Sequence, residues 1–112
     1  MLTVDFEYFD LRPGDVCVDL GCGEGRHSLT AYLQEDVTLI GLDLSQQDLK
    51  TAQSRIADMA SYNPKGSVYF AQANGLSLPL ADHSIDRLIC SEVLEHIPNY
   101  IGFLEEIDRV LK

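Results

Sequence analysis

The sequence predicts an α/β protein in which one parallel sheet carries helices on both faces. Short, almost wholly apolar segments alternate along the chain with segments whose apolar residues recur at helical spacing. A glycine-rich turn follows the first apolar segment, at residues 21–25. Apolar strands separated by helices are typical of βαβ units, whose parallel strands are buried on both faces and joined by right-handed crossovers.

Four segments are expected to be strands, because each is a short apolar run bounded by turn residues. They are residues 15–20, 37–43, 67–73 and 85–92. Three segments are expected to be helices and a fourth to form a single helical turn. They are residues 25–36 and 45–60, the short turn at 93–97, and a last helix capped by Asn99. Ser45 and Asp48 resemble a capping box, and Ile101, Leu104, Ile107 and Leu111 form an apolar stripe on the last helix.

Length and charge limit the classes of function. The chain has 112 residues, enough for one domain, and a net charge of -10 from 18 acidic against 8 basic residues. That balance argues against a broad nucleic-acid surface, which needs clustered Lys and Arg. No apolar run reaches membrane-spanning length, and the first ten residues have no signal-peptide pattern. We therefore expect a cytoplasmic protein that binds neither nucleic acid nor membrane.

The three cysteines do not indicate a disulfide framework or a metal site. Cys17, Cys22 and Cys90 show no paired spacing and no zinc-ligand pattern. Cys17 and Cys90 lie within apolar runs and are expected to be small buried hydrophobic residues. Cys22 lies in the glycine turn, where a reactive nucleophile is the less favoured alternative.

Polar residues follow the predicted strands at the edge where ligands bind in such sheets. Asp43 ends the second strand, 22 positions after Gly21, where an acid can accept hydrogen bonds from ribose hydroxyls. The alternative for Asp43 is a turn or capping role. Asn74 ends the third strand, where its amide can recognise an adenine edge. The alternative for Asn74 is again a turn, because it precedes Gly75.

The glycine turn does not match the dinucleotide pattern. Glycines occupy positions 21, 23 and 25, and Arg26 stands where that pattern has its last glycine. Asp19 and Glu24 would oppose a pyrophosphate, which binds bare backbone N–H groups at a helix N-terminus. The same acids favour a ligand with positive charge. The turn therefore predicts a positively charged nucleoside, and a nicotinamide-dependent oxidoreductase becomes the least favoured interpretation.

Several motifs together resemble class I S-adenosylmethionine-dependent methyltransferases, especially the small-molecule type that includes quinone-biosynthesis enzymes. They are "VCVDLGCGEG", "LIGLDLS", "AQANGLSLPLADHSIDRLICSEVLEHI" and "FLEEIDRVLK". The resemblance covers nearly the whole chain from Asp15 onward. It implies a Rossmann-like sheet, S-adenosylmethionine as cofactor, and methyl transfer to a small-molecule acceptor. A module that binds the cofactor or its demethylated product without turnover is the alternative.

The resemblance also assigns roles to positions of this chain. The loop around the methionine part of the cofactor corresponds to Asp19, Gly21, Cys22, Gly23 and Gly25. Asp43 corresponds to the acid on the ribose hydroxyls, and Leu44 to the residue packed on adenine. Contacts to the adenine ring correspond to Asn74, Gly75 and Leu76, and a backbone contact near the methionine amine to Ser91.

No catalytic residue is identified. Glu92 opens the segment that would face the transferred methyl group, and His96 lies nearby, so these two are the candidates for a general base. His27 is expected to be a partly exposed helix residue and His83 to lie in an exposed turn. Tyr8 and Tyr32 are not placed by the sequence. The segment "FEYFD" is expected to pack on the sheet, with a lid over the cofactor as the alternative.

The resemblance also implies further strands after the last helix, which this chain of 112 residues does not contain. We therefore expect residues 1–112 to be one incomplete cofactor-binding domain, truncated after about four strands. The fourth strand would then be an apolar edge. Such an edge invites pairing with another strand, and we expect a homodimer through it.

Overall fold

The computed structural model describes residues 11–34, 36–59, 66–90 and 98–112. Within them, four strands alternate with helices in the predicted order. The elements are β1 (Val16–Leu20), α1 (Arg26–Gln34), β2 (Thr38–Asp43), α2 (Gln46–Met59), β3 (Ser67–Gln72), β4 (Arg87–Ile89) and α3 (Tyr100–Val110). The predicted segments are confirmed, with β4 shorter than expected. The predicted short helix at 93–97 lies outside the described residues.

The four strands form one parallel sheet in the order β3-β2-β1-β4. Val18 in β1 lies between Ile40 of β2 and Leu88 of β4. The chain builds outward from β1 through β2 to β3 and then crosses back to the other side of β1. The carboxyl ends of β1 and β4 therefore form the switch point of the sheet, where open α/β sheets bind their ligands.

Helices cover both faces of the sheet, as predicted. On one face, Phe103 and Val110 of α3 pack on Val18, Leu20 and Leu42. On the other face, Ala31 of α1 packs with a cluster formed by Cys17, Val37, Leu39 and Ile89. In β1 and β2, side chains of adjacent residues point to opposite faces and most are buried on both, which is why these strands are largely apolar. β3, at the end of the sheet, is more exposed, and its Tyr69 is 61% exposed.

Both predicted helix caps are present. The Ser45 hydroxyl accepts a hydrogen bond from the Asp48 N–H at 3.2 Å, at the start of α2. The Asn99 side-chain oxygen accepts one from the Gly102 N–H at 3.1 Å, at the start of α3. These bonds satisfy N–H groups that have no partner within a first helical turn.

The predicted apolar stripe on α3 faces the core only in part, because Ile107 and Leu111 pack against the core cluster. Ile101 is 59% exposed and Leu104 is 45% exposed, whereas Phe103 and Val110 are buried. The Phe103 ring packs directly on Gly75, where a Cβ atom would overlap the ring. Phe103, Ile107 and Val110 recur at helical spacing and form the face of α3 that packs on the core, whereas the contact of Phe103 with the segment after β3 was not predicted.

The end of α3 returns to the sheet beside the entry to β4. Leu111 bridges to Ile85 in parallel orientation, and the Lys112 N–H donates to the Ile85 carbonyl at 3.0 Å. The Arg109 guanidinium donates to the carbonyls of Leu78 and Leu80 and thereby holds the β3–β4 connection against α3.

Among the described helices, none combines the length and the apolar character needed to cross a membrane.

Candidate functional site

The glycine turn lies at the carboxyl end of β1 and leads into α1. Gly23 and Gly25 have φ angles of 54° and 86°, a region that side chains other than glycine rarely adopt. A Cβ atom at Gly25 would also lie 3.0 Å from the Cβ of Ala52 in α2. Glycine at position 25 therefore allows α2 to pack closely beneath the turn.

The end of β2 anchors this turn. The N–H groups of Gly21 and Cys22 donate to the Leu42 carbonyl at 2.7 and 3.1 Å. The Gly23 N–H donates to Asp43 Oδ2 at 2.8 Å. The backbone of the turn is therefore fixed before any ligand binds.

Asp43 also forms a turn of its own. Its Oδ1 accepts a hydrogen bond from the Ser45 N–H at 2.8 Å, so the predicted turn role is confirmed. Each carboxylate oxygen can accept more than one hydrogen bond, so both oxygens keep the capacity to accept a ribose hydroxyl. The two interpretations offered for Asp43 are compatible in this geometry.

Asp19 lies beneath the glycine turn. It is 2% exposed, and its Oδ2 accepts a hydrogen bond from the Ser28 hydroxyl in α1 at 2.7 Å. Burial raises the pKa of the Asp19 carboxyl to about 6, and the hydrogen bonds from Ser28 oppose that rise. The bond to Ser28 joins the end of β1 to the start of α1. Ser28 was not predicted as part of the site, although its hydroxyl lies in the first turn of the helix that follows the glycine turn.

Glu24, the other acid of the turn, has a cationic partner. Its carboxylate lies 3.1 Å from the Arg55 guanidinium of α2, and both side chains are about half exposed. An exposed pair of this kind stabilises the fold little, but it offsets the charge of Glu24. The negative charge available to a ligand at this edge therefore comes from Asp43 and Asp19 more than from Glu24.

The Cys22 thiol is buried and unreactive. Burial, with smaller contributions from Asp19 and Asp43, raises its pKa to about 12. A thiol with this pKa is neutral at pH 7 and is not a nucleophile. Burial raises the pKa of Cys17 to about 12 as well, so both side chains are small hydrophobic residues.

Leu44 presents an apolar side chain to solvent beside Asp43. It is 66% exposed, although its backbone is held in place. The Leu44 carbonyl accepts a hydrogen bond from Gln72 Nε2 at 2.8 Å, and Gln72 Oε1 accepts one from Gln46 Nε2 at 3.0 Å. Gln72 and Gln46 were not predicted, because nothing in the sequence indicates that two side chains 26 positions apart would meet.

Asn74, Gly75 and Leu76 form a tight turn after β3. Asn74 Oδ1 accepts a hydrogen bond from the Leu76 N–H at 2.9 Å, and the Asn74 carbonyl accepts one from the Ser77 N–H at 3.0 Å. The predicted turn role of Asn74 is therefore confirmed. Leu76 is 42% exposed, so a second apolar side chain stands in solvent in the segment that follows a strand.

Other predicted residues are buried elsewhere or not described. His27 is 7% exposed, so the expectation of a partly exposed residue was wrong: the helix turns it inward. Tyr32 is 3% exposed and belongs to the core. His83 is exposed, as expected, with Nδ1 2.9 Å from the Leu111 carbonyl oxygen. Predictions that lie outside the described residues concern Ser91, Glu92, His96, Tyr8 and the segment "FEYFD".

Comparison with known families gives a match over most of the chain. A family model described as "Methyltransferase domain" matches residues 18–112. The matched region begins within β1 and therefore includes the glycine turn, Asp43 and the Asn74–Leu76 turn.

Individual relatives are similar over nearly the whole chain. A 2-phytyl-1,4-naphtoquinone methyltransferase from Nostoc sp. is 33% identical over 90% of this chain and 44% of its own length. A 27-O-demethylrifamycin SV methyltransferase from Amycolatopsis mediterranei is 31% identical over 91% of this chain and 36% of its own length. The chain thus spans less than half the length of these curated relatives.

A solved structure from Methanococcus maripaludis, described as an S-adenosyl-L-methionine-dependent methyltransferase, superposes with a TM-score of 0.83. It is 26% identical in sequence, and the match covers 96% of this chain and 47% of that one. The observed sheet and its helices therefore recur in that larger protein.

Proposed function

Since the chain belongs to the methyltransferase-domain family, we propose that it forms the S-adenosylmethionine-binding part of an enzyme that methylates a small molecule. The family match confirms the predicted methyltransferase class. The similar solved structure, whose description names S-adenosyl-L-methionine, supports the same cofactor for this chain. The reaction of the whole protein, its acceptor and the residues that contact the cofactor are our proposals.

The observation that carries the proposal is the preformed edge at the carboxyl ends of β1, β2 and β3. There the glycine turn is tied to Asp43, whose oxygens keep acceptor capacity beside the exposed side chain of Leu44. A nucleoside needs acceptors for its ribose hydroxyls and an apolar surface for its ring. The chemistry of this edge fits both needs.

We assign the contacts as follows. Asp43 accepts the ribose hydroxyls, and Leu44 packs on the adenine ring. The turn after β3 borders the ring through Asn74, Gly75 and Leu76. The methionine part lies along the backbone of Gly21, Cys22, Gly23 and Gly25. Asp19 acts from beneath, because its buried carboxyl is hydrogen-bonded to Ser28 and not directed at the surface.

The charge of the edge suits a cationic ligand. The cofactor, when bound, supplies a methyl group on a positively charged sulfur that an acceptor can displace. The carboxylates of Asp43 and Asp19 favour positive charge nearby, and Asp43 in addition fixes the turn that orients it. This chain contributes alignment, and holding two reactants in line can supply much of the acceleration. Glu92, His96 and Ser91 keep their proposed roles and lie outside the described residues.

The acceptor is proposed to be a small organic molecule, because relatives with at least 30% identity carry the names of naphthoquinone and rifamycin methyltransferases. The assignment of residues 1–112 to one cofactor-binding domain and a cytoplasmic location are likewise proposals.

Isothermal titration calorimetry tests the proposed cofactor. We expect saturable binding of S-adenosylmethionine and S-adenosylhomocysteine, with a rise in melting temperature, because a ligand that binds only the folded state stabilises it. NAD serves as the control and is expected not to bind. Binding of NAD alone would support the oxidoreductase alternative and contradict the proposal. Methyl transfer to a demethylated naphthoquinone, measured with a longer chain that includes the further strands implied by the resemblance, then separates an enzyme from a module that only holds the cofactor.

We also propose that two copies can pair through β4. This strand is at one end of the described sheet, and an edge strand presents unpaired backbone groups. Leu111 and Lys112 contact the chain at Ile85, just before β4 begins. The outer edge of Arg87–Ile89 therefore has no strand partner among the described residues. Sedimentation over a range of concentrations is expected to show a monomer–dimer equilibrium. A monomer at every concentration would contradict the pairing.

A further inference from the structure

Leu44 lies in a segment whose backbone is fixed on both sides. Before it, Asp43 pairs with Gln72 in the β2–β3 register, and Asp43 Oδ1 accepts the Ser45 N–H. After it, the Ser45 hydroxyl caps α2. The Leu44 side chain is nevertheless 66% exposed. A rigid backbone that holds an apolar side chain in solvent is a preformed contact surface, and not a loop ordered by burial.

Gln72 supplies the one side-chain hydrogen bond to Leu44 among the described residues. Its Nε2 donates to the Leu44 carbonyl at 2.8 Å. Its Oε1 accepts from Gln46 Nε2 at 3.0 Å, so the amide plane is held from both ends. Gln72 is the last residue of β3, and its amide links the ends of two strands to the start of α2.

We propose that Gln72 is a positioning residue that holds Leu44 ready to pack against the flat ring of a bound nucleoside. The inference rests on the proposed function and adds a residue to its site. Gln72 acts through Leu44, because it restrains the backbone that carries the Leu44 side chain. The segment is then already ordered in the free protein, and binding loses less conformational entropy.

The test compares Gln72→Ala and Gln72→Glu with Gln53→Ala, a change at an exposed glutamine of α2. Gln72→Glu keeps the size and the acceptor but removes the donor. We expect both Gln72 variants to bind S-adenosylhomocysteine and 5′-methylthioadenosine about three- to ten-fold more weakly. The same factor is expected for both ligands, because they share the adenosine part. Gln53→Ala is expected to bind as the wild type does.

A double variant separates action through Leu44 from an independent contact. Leu44→Ala alone is expected to weaken binding by about ten-fold. Adding Gln72→Ala to Leu44→Ala is expected to cause no further loss, since the side chain that Gln72 positions is gone. The proposal would be overturned if the double variant showed the product of the two single losses in affinity. It would also be overturned if both Gln72 variants bound with wild-type affinity.

Amide hydrogen exchange provides a test that needs no ligand. Gln72→Ala is expected to speed exchange at Ser45 relative to the wild type and Gln53→Ala, because the segment opens more often. Unchanged exchange would overturn the positioning role. If the wild type bound neither ligand, the proposed function would fail, while the exchange measurement would still decide whether Gln72 restrains Leu44.

Discussion

Replacing Asp43 with alanine is expected to weaken binding of S-adenosylhomocysteine by about 100-fold, because two effects combine. The variant loses the carboxylate proposed to accept the ribose hydroxyls. It also leaves the N–H groups of Gly23 and Ser45 without the acceptor that each has at 2.8 Å. The glycine turn then loses a restraint that fixes it before binding. Calorimetric titration measures the affinity, and thermal unfolding without ligand measures the structural part of the loss.

Two further variants separate the loss of contact in Asp43→Ala from the loss of negative charge. Asp43→Asn keeps one acceptor oxygen and the shape of the side chain but loses the charge, and we expect about a ten-fold loss. Asp58→Ala is the matched control, because Asp58 is an exposed acid near the far end of α2. Wild-type affinity in Asp43→Ala would contradict the ribose assignment. Equal loss in Asp58→Ala would point to net charge as the cause, and not to contact.

The sheet was predictable because its information is local. Each strand is rich in apolar residues and bounded by turn residues, and such short runs are typical of strands in a covered parallel sheet. The caps were also readable, since Ser45 and Asn99 lie immediately before their helices and bond three residues ahead. In each case the residues that decide the structure are close together in the chain.

The failures of prediction have the opposite cause. The contact of Phe103 with Gly75 joins α3 to a turn that lies far away in the sequence. The hydrogen bond from Gln72 to Leu44 joins residues 28 positions apart and uses a side chain with no special pattern. The positions at the edge were found from the rule on strand ends, and a turn was offered as the alternative to a ligand contact for both Asp43 and Asn74. What the sequence did not indicate is that the two roles can coexist, since each residue holds its own turn at the proposed site.

The free energy of unfolding is expected to depend on pH through the buried carboxyl of Asp19. The pKa of its carboxyl rises from an ordinary 3.8 to about 6 on folding. Between these values the folded state holds a proton that the unfolded state has lost. The contribution of Asp19 to the free energy of unfolding is therefore greatest below pH 4 and falls as the pH rises to 6. At about 1.4 kcal/mol per pH unit, the fall is about 3 kcal/mol.

Asp19→Asn isolates this contribution. The asparagine oxygen can still accept the Ser28 hydroxyl, but no buried charge forms at high pH. We expect the free energy of unfolding of the variant, relative to the wild type, to rise by about 2 kcal/mol between pH 4 and pH 7, because the rest of the change lies below pH 4. Denaturant titration at both values measures it. The difference between the two proteins removes the opposite contributions of Asp86 and Glu106, whose pKa values are lowered by hydrogen bonds.

A second variant tests the cause of the shift. Ser28→Ala removes the hydroxyl that stabilises the Asp19 carboxylate, so the pKa of Asp19 should rise further. The fall of its stability should consequently continue to a higher pH than in the wild type, and carbon NMR of the Asp19 carboxyl should show the higher midpoint directly. A pH-independent difference between Asp19→Asn and the wild type would contradict the burial of a charge beneath the turn. If one buried carboxyl lowers the stability between pH 4 and pH 7, the protein keeps a negative charge beneath the glycine turn although that charge destabilises the fold. A site for a cation would require such a charge.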